Sequence, residues 1–199
     1  KNINIYIKNT FNSENNGTCV KKNINSNNSF NTISEKDIFA LTFIKNTQLF
    51  TIKGKGLNSN IGICGRIFNI LGKLEVNIPF ITQASSESLI TFAVNCDSNN
   101  DIEKKCIKKI KTNLEKEFAD EIKANFIENI EIIDNISLVN IIISNINNNY
   151  GVAGKIFSLC GNNKINIRAI SQGSSEISIC IAINKKDLYK CLNLLHSLV

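Results

Sequence analysis

Two glutamines carry most of the chemistry this sequence offers. Gln83 lies in ITQASSE (81–87) and Gln172 in ISQGSSE (170–176). One phrase therefore recurs after 89 residues, with its Gln, both Ser and its Glu kept. A carboxamide both donates and accepts hydrogen bonds. Each glutamine ends a segment of strand composition, and each is preceded by a helix-like stretch whose entry loop holds a glycine, Gly62 or Gly151. Glycine lets a backbone come close to a ligand. Free N–H groups at a helix start attract a carboxylate, through both unsatisfied donors and the dipole. The set fits a free amino acid: carboxylate on the helix start, ammonium on backbone carbonyls, a side-chain hydroxyl on the amide. The plainer reading is that each glutamine caps a turn built by Ser85 and Ser86, or Ser174 and Ser175. Glu87 and Glu176 then serve as turn residues or surface partners for lysine.

Other chemistries find no foothold. There is no Ser-His-Asp candidate, no HExxH and no Walker loop, and GKG (54–56) is too short to cradle phosphate. The only histidine, His196, stands near the end of a predicted helix with no nucleophile nearby, so a surface or half-buried role is expected. Seven cysteines include no CxxC, which argues against a zinc site or a secreted disulfide frame and for a reducing, cytoplasmic setting. The net charge of +6 is almost all lysine, with arginine only at 66 and 168. Lys, Asn and Ile abound together, which reads as base-composition drift. A nucleic-acid patch wants clustered Arg and Lys beside aromatics, so no nucleic-acid partner is expected. No apolar run approaches the ~18 residues of a membrane span. The absence of methionine leads to the expectation of an internal piece of a longer protein.

The elements that position the glutamines repeat as well. Comparing 61–95 with 150–184 gives fifteen identical pairs out of 35, among them Gly62/Gly151, Gly72/Gly161, Asn77/Asn166, Ile81/Ile170 and Ala93/Ala182. This is a structural duplication. Each unit opens with a strand, 48–54 or 137–144. A helix follows, with Ile63, Ile67, Ile70, Leu71 and Leu74 on one face, matched by Val152, Ile156 and Leu159. Two strands come next, VNIPFITQ with LITFAVN and INIRAISQ with ISICIAIN, and then a closing helix. In the first closing helix Ile102, Cys106, Ile110 and Leu114 are spaced for one buried stripe. The order β-α-β-β-α, twice, predicts an α+β fold of two ferredoxin-like sandwiches packed together. Each sheet lacks a fourth strand, for which 128–134 and 38–44 are both candidates. The expected organisation is 1–36 as a lead-in with a loose polar loop, 37–134 as the first unit and 135–199 as the second, with 38–44 available to the second unit's sheet.

These residues resemble the tandem ACT domains of aspartokinase, above all of the bifunctional aspartokinase–homoserine dehydrogenase. The resemblance is carried by LFTIKGKG (49–56), ITQASSE, NIEIIDN (129–135), GVAGKIF (151–157) and INIRAISQGSSE (165–176), and 6–18 looks like the segment leaving the kinase lobe. It implies a regulatory region that binds an end-product amino acid, L-threonine for the bifunctional type, and inhibits the kinase. The effector-contacting glutamines then fall on Gln83 and Gln172. Gly62 and Gly151 would hold the amino-acid head group, Ile81 and Ile170 would line the pockets, and Asn77 and Asn166 join the candidate set. The resemblance also implies a homodimer through the ACT units. No catalytic residue and no cofactor belongs to this region; ATP and NADP would serve other domains of the parent enzyme. Two alternatives stand beside it: a monofunctional aspartokinase answering to lysine or to lysine plus threonine, and an RNA-binding module of the same strand order. The second lacks the sheet-face aromatics such a module stacks on bases.

Overall fold

The computed structural model describes residues 3–12, 15–20, 38–57, 61–84, 88–96, 101–143, 150–173 and 178–198. The chain divides into two units, Lys1–Lys36 and Asp37–Val199. In the first, β1 (Ile5–Ile7) pairs antiparallel with β2 (Thr18–Val20).

The second unit holds both copies of the repeat. Its elements are β3 (Ile38–Lys53), α1 (Ile63–Lys73), β4 (Phe80–Ala84), β5 (Leu89–Asn95), α2 (Asp101–Glu117), α3 (Ala119–Lys123), β6 (Asn129–Ile143), α4 (Val152–Asn162), β7 (Ile167–Gln172), β8 (Ser178–Asn184) and α5 (Leu188–His196). The sheet is antiparallel, in the order β4-β5-β3-β6-β8-β7.

Both segments considered for the missing fourth strand are used, one by each half. They are not separate strands. Residues 38–44 run on into 47–53 as β3, and 129–133 run on into 136–143 as β6. The late part of β3 pairs with β5 and with the early part of β6, which completes the first half. The early part of β3 pairs with the late part of β6, beside β8, and completes the second. The crossing point has a local cause. Asn46 (φ 57°) and Asn135 (φ 58°) both adopt the left-handed conformation, which asparagine tolerates better than most residues. Each shifts the register without ending its strand, as a bulge does. At the centre Thr47 pairs with Ile136, its own counterpart 89 residues on, and the buried Thr47 hydroxyl donates to the Ile136 carbonyl at 3.0 Å.

Three apolar clusters follow from the alternation. Phe50, Ile52, Ile90, Phe92 and Val94 face α1 and α2, where Ile63, Ile67, Leu71, Ile110 and Leu114 meet them. Val139, Ile141, Ile179, Ile181 and Ile183 face α4 and α5 in the same way, against Val152, Ile156, Cys160, Leu188, Cys191 and Leu195. On the opposite face Leu49, Phe80, Ala93, Ile136, Leu138, Cys180 and Ala182 form a cluster to which both halves contribute. One expected helix position differs. Ile102, in the first turn of α2, is 78% exposed, because α2 meets the core only from Cys106 onward. In α4 the half-buried Leu159 packs against the core, and Cys160 beside it is buried. Among the described residues no helix is long and apolar enough to cross a membrane.

Candidate functional site

β4 and β7 are the outer strands of the sheet, and their alternation aims the site. Phe80 turns into the shared cluster, while Ile81 and Gln83 lie on the other face and are exposed. In β7, Ala169 and Ser171 alternate with exposed Ile170 and Gln172. The two isoleucines are nearly equally exposed, 42% and 40%, so the two outer strands present the same surface. β4 and β7 also touch: the Ser171 hydroxyl donates to the Ile81 carbonyl at 2.8 Å.

The helix starts are built alike. Gly62 (φ 86°, ψ 4°) precedes α1 and Gly151 (φ 84°, ψ 1°) precedes α4, both left-handed and neither replaced by a capping side chain. A methyl group there would meet nothing within 4 Å, so backbone conformation, and not crowding, calls for glycine. No acidic residue occupies the first turn of α1 or α4, whereas α2 has Asp101 and Glu103. The dipole ends of α1 and α4 are thus not neutralised by a neighbouring carboxylate on their own helix.

One contact joins the two parts of the first site. The Cys64 thiol, one residue into α1, donates to Gln83 Oε1 at 3.8 Å. The end of β4 and the start of α1 therefore meet. Gln83 and Gly62 fall at this end, with Ile81 two residues earlier on the same face of β4, and Gln172, Gly151 and Ile170 hold the equivalent sequence positions in the second half. Asn77 and Asn166 fall elsewhere: both are exposed and precede β4 and β7, at the end of the strand where the preceding helix finishes. Ser85, Ser86, Glu87, Ser174, Ser175 and Glu176 lie outside the described residues. Sequence reasoning passed over Cys64, although the repeat marked it as a cysteine facing alanine at 153.

Arg66, two residues further on, is occupied away from the site. Its guanidinium donates to Glu117 Oε1 and to the Glu117 carbonyl, both at 2.8 Å, and to Glu121, and lies 4.5 Å from the Phe118 ring centroid. These bonds, to Glu121 first, raise the arginine pKa further, and Arg66 holds the Glu121 carboxyl below its usual range. The fork binds α1 to α2 and α3. A concavity of about 590 Å³ lined by Asn135, Asn184, Lys185 and Lys186 lies at the far end of β8 from Gln172. Among the described residues no group of three or more His, Cys, Asp or Glu side chains is placed to hold a metal ion. His196 is exposed at the end of α5.

A family model for the ACT domain matches residues 50–104 and 139–198, together more than half of the chain. The chain belongs to the ACT domain family. Its two ACT units are the halves described above. The chain is 35% identical over 186 residues to the bifunctional aspartokinase/homoserine dehydrogenase of Buchnera aphidicola, covering 90% of this chain. It is 29% identical over 196 residues to that of Haemophilus influenzae, covering 98%. It spans 22% of the length of each of these relatives. Among solved structures it is similar to the aspartate kinase of Clostridium acetobutylicum, described as an allosteric enzyme, with a TM-score of 0.73 and 24% identity over 99% of this chain and 41% of that one. That likeness establishes the ACT fold.

Proposed function

We propose that this chain is the regulatory ACT region of an aspartokinase, of the kind joined to homoserine dehydrogenase, and that it binds L-threonine. One observation carries the reading: twice, 89 residues apart, an exposed glutamine stands on an outer strand whose preceding helix starts from a left-handed glycine with no acidic residue in its first turn. An amino acid's carboxylate suits the helix start and a hydroxyl suits the amide. The extent of the match to bifunctional enzymes, 90% and 98% of this chain, supports that parent. In it, threonine bound here biases the catalytic domains between two arrangements, with a coupling of roughly 1–3 kcal/mol, and the ACT units pair between subunits as a homodimer. ATP and NADP belong to domains outside this region.

Calorimetry of L-threonine against the wild type, Gln83→Ala and Gln172→Ala tests the reading. Each variant is expected to lose about 1–3 kcal/mol at its own site, since it leaves a ligand group unpaired. Unchanged binding in both variants removes the glutamines from the site. A response to L-lysine with none to L-threonine moves the chain to the lysine-sensitive, monofunctional alternative.

A further inference from the structure

We propose that Cys64 is a positioning residue that fixes which end of the Gln83 amide faces a ligand, and so makes the first ACT unit more selective than the second. The inference rests on the glutamine sites proposed above. The Cys64 thiol donates to Gln83 Oε1 at 3.8 Å. A carboxamide has one acceptor end and one donor end. The thiol takes one of the two acceptor positions of Oε1 and holds that oxygen toward α1, so the amide does not exchange its ends and presents its Nε2 hydrogens to a ligand. The first unit then selects for a ligand that presents an acceptor, such as a hydroxyl oxygen.

The second unit lacks this device. Ala153 stands at the position of Cys64, and a methyl group donates nothing. The Gln172 amide can turn to suit its ligand, and discriminates less. The same helix position serves with alanine in one unit and cysteine in the other, so space filling alone does not call for sulfur. Cys64 packs against the first apolar cluster, as Cys106 does, whereas Cys96, Cys160, Cys180 and Cys191 are buried within the clusters.

Two measurements test the inference. The first needs no ligand. By ¹⁵N relaxation the side-chain NH₂ of Gln83 is expected to be more ordered than that of Gln172 in the wild type. The difference should vanish in Cys64→Ala and survive in Cys64→Ser, which keeps a donor. Equal order in the wild type overturns the proposal, whatever the chain binds. The second is calorimetry of L-threonine and L-valine with Gln172→Ala as background, so that only the first site is read. There Cys64→Ala should lower threonine affinity by about threefold to tenfold and reduce the threonine-to-valine ratio by a similar factor, while Cys64→Ser retains both. In the reciprocal background, Gln83→Ala, adding Ala153→Ser should raise the ratio at the second site. Wild-type affinity and ratio in Cys64→Ala, or equal loss in Cys64→Ser, overturns the assignment. No threonine binding by the wild type overturns the threonine reading and the selectivity with it; the relaxation result then stands or falls by itself.

Discussion

The two ACT units share a backbone and differ in what they pack on it. The outer-strand register of one maps onto the other from Phe80 and Ala169 onward: Ile81 opposite Phe92 becomes Ile170 opposite Ile181, and Gln83 opposite Ile90 becomes Gln172 opposite Ile179. The first unit buries three phenylalanines beneath its helices, Phe50, Phe92 and Phe118, besides Phe80 in the shared cluster, and stacks Phe50 on Phe92 with centroids 5.3 Å apart and planes 5° from parallel. The second fills the equivalent places with Val139 and Ile181 and adds Cys160 and Cys191. The first alone has arginine at position 66, forked onto Glu117 and Glu121; the second has Lys155 at that position, a point charge without the fork. Backbone geometry is thus held by glycine, asparagine and strand alternation, and the core can change from aromatic to aliphatic around it. Volume and pattern set the fold, and detail sets rigidity.

The comparison can be broken most severely at the cores. Phe50→Ala is expected to cost about 3–5 kcal/mol and Val139→Ala about 1–3 kcal/mol. Urea unfolding followed by circular dichroism measures both. Because β3 and β6 belong to both units, each loss should appear in a single transition; two separate transitions would mean that the halves unfold independently. Next in size come the crossing points. Asn46→Ala and Asn135→Ala keep the β-carbon in the left-handed region but remove the short polar side chain that eases it, and should each cost about 1–2 kcal/mol, with glycine tolerated at either. Equal losses keep the symmetry of the long strands, and unequal ones show which unit bears the crossing.

Much of this was legible in the sequence. The 89-residue repeat carried the helices, the paired outer strands and the two glutamines, because identical residues at a fixed offset need no knowledge of propensity. The continuity of β3 and β6 was not legible. The polar gaps around Asn46 and Asn135 look like turns, and only the left-handed asparagines, met by partner strands with matching bulges, let the chain run straight on. Ile102 fitted a helical period yet lies beyond the core, since a period identifies a face and not where along it the packing begins. The bond from Cys64 to Gln83 joins a helix start to a strand end, a tertiary fact that spacing does not contain.

A smaller effect sharpens the electrostatic difference. Arg66→Ala should cost about 1–2 kcal/mol through the lost fork and the lost stacking on Phe118. The sign with pH is fixed. Glu121 is held below its unfolded value, so its contribution is full above that value, near 4.5, and is lost as pH falls through the lower folded value. The penalty of Arg66→Ala should therefore shrink in acid, as read from denaturation midpoints between neutral pH and about pH 3. An undiminished penalty at low pH would assign it to packing on Phe118 alone. The smallest expected perturbation is chemical. At mildly alkaline pH a soluble maleimide should label Cys19 and Cys64 well before Cys96 and Cys180, with little change in stability. Burial, aided by Cys106, pushes the Cys96 thiol up to about 12, and burial pushes Cys180 up to about 11. Mass spectrometry of the time course gives the order, and early labelling of Cys180 would show that the shared cluster opens.

The strands that cross between halves have a consequence during synthesis. Ile38 hydrogen-bonds in register with Ile143, so the first-made half of β3 has no partner until the ribosome has passed β6. Until then a nascent chain carries a long strand with open N–H and C=O groups and the exposed rings of Phe39 and Phe43, a template for wrong pairing. A premature stop before the late part of β6 leaves the first-made half of β3 unpaired and the second half unbuilt. The genetic unit of this architecture is accordingly the pair, and a lesion late in its message disarms the residues translated first.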